Sequence, residues 1–232
     1  MQDPEYVKEA FAGIADRYVV TNHVLSLGID ILWRRRVARM VCGASPSRVL
    51  DVATGSGDLA LEIKRRCPDA EVVGTDFCEP MLVEARKRGL ENTILADALD
   101  LPFKDGEFCA LTVGFGLRNM ADWAGALTEM ARVLKPGGLL VVLDFSLPRG
   151  RLRRKVYRFY LHRVLPRLAG MITGRSEAYR YLGESIESFP AGEQMCELIR
   201  AAGFSATKAK PLCPGVATIY SAIKQKNPGR WE

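Results

Sequence analysis

From about residue 47 onward, short apolar runs alternate with stretches in which apolar residues recur every three or four positions. The runs fall at 49–53, 71–76, 92–97, 108–114 and 139–145, and their Val, Leu and Ile content predicts strands buried on both faces. Helical periodicity marks 58–66, 79–88 and 121–134. In the last of these, Trp123, Leu127, Met130 or Ala131, and Leu134 share a core-facing stripe that Lys135-Pro136-Gly137-Gly138 then stops. Residues 206–224 alternate enough to predict two more strands, separated by Pro211, Pro214 and Gly215 and paired antiparallel at one edge. Together these elements predict an α/β fold with a doubly wound, mostly parallel seven-stranded sheet and an antiparallel edge hairpin.

Around that sheet the chain divides into an N-terminal helical cap (1–45), a core (46–147), basic lid helices (148–204) and edge strands (205–224) of one domain (1–232). No repeat or low-complexity linker interrupts it. At 232 residues and 48% hydrophobic, one sizeable core fits best. The opening residues lack the basic-then-apolar order of a signal peptide, and no apolar run approaches the ~18–20 residues needed to cross a bilayer, so a cytoplasmic protein is expected. Six scattered cysteines without a C-x-x-C pair, beside two histidines, suit neither a zinc site nor a secreted disulfide framework. The net charge of +6 suits an anionic membrane surface, a nucleic acid or a phosphorylated substrate, so its location matters more than its sum.

The strongest chemical signal is Val49-Leu-Asp51-Val-Ala-Thr-Gly55-Ser56-Gly57-Asp58, an apolar strand running into two glycines and then a helix. Such a turn presents backbone N–H groups to a nucleotide-like ligand without an obstructing side chain. Alone it also fits a dinucleotide fingerprint or a plain tight turn. Glu71-Val-Val-Gly-Thr-Asp76 adds a strand ending in an acid roughly 20 residues on, the spacing of a ribose anchor, although Asp76 also suits a helix N-cap.

Asp51-x-x-x-Gly55-x-Gly57, Asp76, Asp97-Ala98 followed by Leu101-Pro102-Phe103, and Arg132-Val-Leu-Lys-Pro-Gly-Gly138, in this order, resemble the class I S-adenosylmethionine-dependent methyltransferases. Gly114-Phe-Gly-Leu-Arg-Asn119, Phe11–Tyr18 with Asn22 and Leu25–Asp30, and Tyr181–Pro190 resemble the quinone-biosynthesis C-methyltransferases of the ubiquinone/menaquinone (UbiE/COQ5, MenG) family, over about residues 11–224. The resemblance implies S-adenosyl-L-methionine as cofactor, held by Asp51, Gly55, Ser56, Gly57, Asp76, Phe77, Asp97, Ala98 and Gly114. Spacing by itself supports only Asp76. Ser56 stands where threonine is usual, Gly114 where many members have serine, and Val19 where an aspartate commonly follows the tyrosine. The first keeps the hydroxyl; the other two bear on the substrate side.

The implied reaction methylates a ring carbon of a reduced, prenylated quinone, which must be an electron-rich hydroquinone ionising beside that carbon. Arg118 is the expected stabiliser of the phenolate, with Asn119 orienting the oxygen or a water; the bland alternative is a turn with Arg118 in solvent and Asn119 capping the next helix. Phe115 is expected beside the ring, and Tyr18 and Asn22 of the N-terminal cap facing substrate or cofactor. His23 is either a proton acceptor or structural.

Residues 149–167 carry Arg149, Arg151, Arg153, Arg154, Lys155, Arg158, Arg163 and Arg167 with no acid, interleaved with Leu152, Val156, Phe159 or Tyr160, and Val164. This is either a basic helix that docks transiently on an anionic membrane, making the protein peripheral to the inner face of the cytoplasmic membrane, or a lid packed on its own domain. Demethylmenaquinol is the favoured acceptor, with the ubiquinone-pathway methoxy-benzoquinol as alternative. A dehydrogenase lacks an evident acid/base pair; an RNA methyltransferase lacks an RNA module, so no nucleic acid is expected; a non-catalytic binder and a homodimer stay open.

Overall fold

The computed structural model describes residues 28–167, 170, 176–212 and 215–226. Tyr18, Asn22, His23 and most of the expected N-terminal cap lie outside them.

The described chain begins with α1 (Ile29–Cys42), then β1 (Arg48–Val52), α2 (Asp58–Arg66), β2 (Glu71–Asp76), α3 (Glu79–Lys87), β3 (Thr93–Leu95) and β4 (Phe108–Gly114). A 3-10 turn (Leu117–Asn119) leads to α4 (Trp123–Val133) and β5 (Leu134–Phe145). Next come α5 (Arg151–Phe159), which continues as a π turn (Tyr160–Val164), α6 (Ser176–Ser188), α7 (Glu193–Ala201), β6 (Phe204–Leu212) and β7 (Ala217–Lys224). The strands form one seven-stranded sheet in the order β3-β2-β1-β4-β5-β7-β6. All pairs through β5 are parallel, and β7 runs antiparallel between β5 and β6.

Period-two alternation along the strands splits the core. Leu50, Val52, Leu111, Val113, Leu140 and Val142 face α4 and α7, where Leu127, Met130 and Ile199 close over them. Val49, Ala110, Val141 and Leu143 face α1 and α2, against Val37, Val41, Leu59 and Ile63. Asp51 and Thr112 stand on this second face, one position out of phase with Leu50 and Leu111, so a carboxylate enters the interior at the end of β1.

Two local expectations change. The strand expected at 139–145 starts earlier: α4 ends at Val133 and β5 begins at Leu134, so Lys135-Pro136-Gly137-Gly138 lies inside the strand, where its pairing with β4 shifts register and Gly137 takes φ 80°. Pro211 lies inside β6 rather than between the edge strands, which is tolerated because β6 is the sheet's last strand.

Two of the six cysteines, Cys42 and Cys67, form a disulfide with their Cα atoms 5.7 Å apart. Their separation of 25 residues carries no motif; packing of α1 beside α2 brings the two helix ends together.

Candidate active site

Strand order reverses at β1, where β2 and β4 flank it and successive crossovers go to opposite sides. In open parallel sheets ligands bind at such a switch point, beyond the carboxyl ends of the strands. The cavity here is lined by Asp51, Ala53, Gly55, Ser56, Asp76, Phe77, Asp97, Ala98, Gly114, Phe115 and Asn119 among others, and holds about 1070 Å³ of empty space, part of it open to solvent. Ala53 (φ 52°) and Phe115 (φ 62°), at the ends of β1 and β4, occupy left-handed backbone that non-glycine residues seldom adopt. Strain at both strand ends of one cavity marks a functional site.

The two glycines do different work. A Cβ on Gly55 (φ 56°) would meet nothing within 4 Å, so this residue keeps a bare backbone facing the cavity. A Cβ on Gly57 (φ 81°) would meet Ala85 at 3.2 Å and Leu90 at 3.3 Å, so Gly57 lets α2 approach α3 and does not itself line the cavity. The turn is also less generous in free amides than its sequence suggests. Thr54 N–H donates to Thr75 O at 2.9 Å, Gly55 N–H to Asp76 Oδ2 at 2.8 Å and Gly57 N–H to Thr54 O at 2.9 Å.

Asp76 ends β2 and accepts from Gly55 N–H and, at 3.0 Å, from Cys78 N–H. Backbone amides on both oxygens, with that of Phe77 also close, fix the carboxylate while leaving lone pairs for a diol. Asp51 accepts from Thr54 Oγ1 at 2.7 Å and from Thr112 Oγ1. Burial pushes both carboxyls up to about 6 against these hydrogen bonds. Asp97, after β3, is exposed and accepts from Leu99 N–H at 2.9 Å, beside Ala98. The adenosyl half of S-adenosylmethionine thus finds two carboxylates on neighbouring strand ends and a glycine surface between them, and the residues fit that group.

Arg118 is not where the expectation puts it. Its guanidinium turns inward: Nη1 donates to Asp144 Oδ1 at 2.8 Å and to the Phe115 carbonyl, and the Arg118 N–H donates to Asp144 Oδ2 at 3.2 Å. Both side chains are buried, at 4% and 0% exposure, and Arg118 does not line the cavity. Asp144, pointing inward at the end of β5, offers the guanidinium a partner that the local sequence does not reveal. What reaches the cavity from this turn is Asn119. Nor does Asn119 cap the next helix; Asp122 does, accepting from Ala124 and Gly125 N–H at 3.0 Å each.

Sequence reasoning missed Arg34, which reads there as part of a basic run. In α1 it shares the buried face with Val37, Ala38 and Val41, lines the cavity, pairs with Asp30 and lies 5.3 Å from the Phe115 ring centroid. A charge on an apolar helical stripe was the available signal.

The family profile described as ubiE/COQ5 methyltransferase family matches residues 1–224. This chain belongs to that family. The "Demethylmenaquinone methyltransferase" of Thermus thermophilus is 53% identical over 90% of this chain and 97% of its own length. A protein of the same name from Deinococcus radiodurans is 46% identical over 94% and 92%, and a "Ubiquinone/menaquinone biosynthesis C-methyltransferase UbiE" of Geobacter sulfurreducens 41% identical over 95% and 89%. Among solved structures, a SAM-dependent methyltransferase from Thermotoga maritima superposes with a TM-score of 0.62 at 18% identity, over 93% of this chain and all of its own. At that identity the likeness speaks for the fold, which is that of class I methyltransferases.

Proposed function

We propose that this enzyme of the ubiE/COQ5 family methylates a ring carbon of a reduced, prenylated naphthoquinone, demethylmenaquinol, with S-adenosyl-L-methionine as donor. The observation that carries the reading is the switch-point cavity, in which Gly55, Asp76 and Asp97 suit an adenosyl group and Phe115 and Asn119 close the other side. The names of the Thermus and Deinococcus relatives supply the choice of quinone. Bound there, the donor supplies an electrophilic methyl group on a sulfonium.

The chain's own residues do the rest. Asp76 and Asp97 orient the nucleoside, and Gly55 lets it lie against the backbone. Phe115, held between Phe145 at 4.6 Å and the Arg34 guanidinium, presents an aromatic wall to the acceptor ring. Asn119, a polar side chain lining the cavity beside Phe115, is the group to hydrogen-bond the hydroxyl next to the carbon that attacks and so favour the ionised ring. Arg118 acts one step back as a positioning residue: its pair with Asp144 ties the Leu117–Asn119 turn to the end of β5 and so sets where Asn119 stands.

The acceptor's prenyl tail calls for a route from the bilayer, and α5 has the surface for it. Leu152, Val156 and Phe159 are 76%, 61% and 63% exposed at successive turns, and none of the helix's residues is buried. Arg153, Arg154 and Lys155 flank this stripe. Beyond it Tyr157, Tyr160 and Leu161 pack with Phe145, Leu147, Leu182 and Ile186, so one end of the helix is rooted beside the site and the other stands clear. An exposed apolar stripe edged by cations fits the interface of an anionic membrane, here the inner face of the cytoplasmic membrane. No helix of the described residues is long and apolar enough to cross a membrane.

Incubation with the methyl donor and separately with demethylmenaquinol and the demethylated methoxy-benzoquinol, followed by mass detection of a carbon-bound methyl, tests the reading. A methylated naphthoquinol supports it. Product from the benzoquinol alone would move the enzyme to the ubiquinone route, and product from neither would refute quinol methylation.

A further inference from the structure

We propose that Arg34 is the anchor for the carboxylate of the adenosyl amino acid, and that through it the site selects adenosyl compounds that carry an intact amino-acid tail. The proposal rests on the donor being S-adenosylmethionine and deepens that reading.

Charge in the cavity is lopsided. Asp51, Asp58, Asp76 and Asp97 line it, and Arg34 is the cation among its described lining residues. Carboxylates welcome the sulfonium and the ammonium of the donor but repel its carboxylate, which needs a cation or several amides. Three amides of the glycine turn are already committed to Thr75, Asp76 and Thr54. Among the described lining residues, Arg34 is the side chain able to hold a carboxylate with two charge-assisted hydrogen bonds.

Its position agrees. Asp76 and Asp97 follow β2 and β3, whereas Arg34 lies over Phe115, which follows β4, and close to Asp58 at the start of α2. Three strand spacings separate β3 from β4, roughly 14 Å. An extended nucleoside with an amino-acid tail spans such a distance, so a nucleoside over β2 and β3 sends its tail toward Arg34. The guanidinium is also held ready, since Asp30 one turn earlier takes Nη1 and the Phe115 ring supports its face. Nη2 stands 4.0 Å from Asp58 Oδ2, an ion pair too long for a hydrogen bond, so among the described residues a ligand carboxylate can take this edge of the guanidinium. The strained φ of Phe115 therefore supports the platform under the cation as well as the wall beside the acceptor.

Calorimetric titration of the full chain with S-adenosylhomocysteine and with 5′-methylthioadenosine, which lacks the amino-acid tail, is the test; decarboxylated S-adenosylmethionine, compared with the intact donor, isolates the carboxylate from the ammonium. Arg34→Gln should weaken binding of the carboxylate-bearing ligands on the order of 10–100-fold and leave the two tailless or decarboxylated ones within about twofold. Arg34→Lys, which keeps the charge beside Asp30 but not the forked geometry, should lose several-fold, and it serves in place of the glutamine variant if that fails to fold. Equal losses for ligands with and without a carboxylate, or no loss for any, would overturn the anchor. No binding of any adenosyl ligand by the wild type would overturn the donor reading, and the anchor with it.

Discussion

Replacing Arg118 by Ala separates two roles for that residue, a free cation facing the acceptor and one half of a buried pair. In the structure Arg118 and Asp144 are both almost wholly removed from solvent, and the alanine variant leaves Asp144, at 0% side-chain exposure, without its counter-charge. Breaking a buried pair from one side costs about 3–5 kcal/mol, because the remaining charge keeps its desolvation penalty. At about 2–4 °C per kcal/mol for a chain of this size, the melting temperature should fall by roughly 6–20 °C. Arg118→Met combined with Asp144→Asn removes both charges and should recover a large part of that loss. Differential scanning calorimetry of the two variants and the wild type reads this directly. Turnover should fall in both variants, since the Leu117–Asn119 turn loses its tie to β5, while S-adenosylhomocysteine affinity stays close to that of the wild type. An Arg118→Ala protein that melts within about 2 °C of the wild type and yet loses turnover would refute the buried pair and return the guanidinium to the acceptor.

Gly55→Ala should cost about 1 kcal/mol of stability through its φ of 56° alone and weaken adenosyl-ligand binding, whereas Gly57→Ala, at φ 81° and in contact with Ala85 and Leu90 besides, should cost about 1–3 kcal/mol more and affect binding less; paired melting and titration curves that fail to separate the two would contradict the division of labour. Burial holds Asp51 and Asp76 at about 6, above their ordinary 3.8, so the folded state keeps protons that the unfolded chain releases. Their contribution to apo stability is therefore full below pH ~4 and lost as the pH rises through about 6, while affinity for the cationic donor climbs over pH 5–7 as the carboxylates ionise; a donor Kd flat from pH 5 to 8 would exclude this. Sedimentation with anionic liposomes should weaken at high salt and on Arg153→Glu with Arg154→Glu, and again on Phe159→Ser; Arg158 is the poorer probe because it is spent on Glu187 at 2.6 and 2.9 Å, and indifference to all three changes would exclude docking through α5.

Much of the architecture was legible in the chain because its causes are local. Apolar runs of strand length, helical stripes such as Leu127 with Met130, and the bare backbone at Gly55 each follow from residues within a few positions of one another. Asp76 could be read as a ribose anchor because fold topology converts a spacing of about 20 residues into adjacency. Sequence alone thus determined the parallel α/β sheet, the place of the glycine turn and the acids beside it.

Tertiary structure decided which charges face the cavity and which face the interior. Asp144 captures Arg118 from 26 residues away, Thr112 joins Asp51 from 61 away, and Cys42 meets Cys67 only because two helices pack side by side. Arg34, inconspicuous among three consecutive arginines, becomes a cation of the cavity because α1 packs its apolar stripe, which carries Arg34, on the sheet face that bears Val49, Ala110 and Val141. A side chain's period says which face it takes; what waits on that face comes from distant parts of the chain. Charges act through space, so their roles were fixed by the folded arrangement and not by the order of residues.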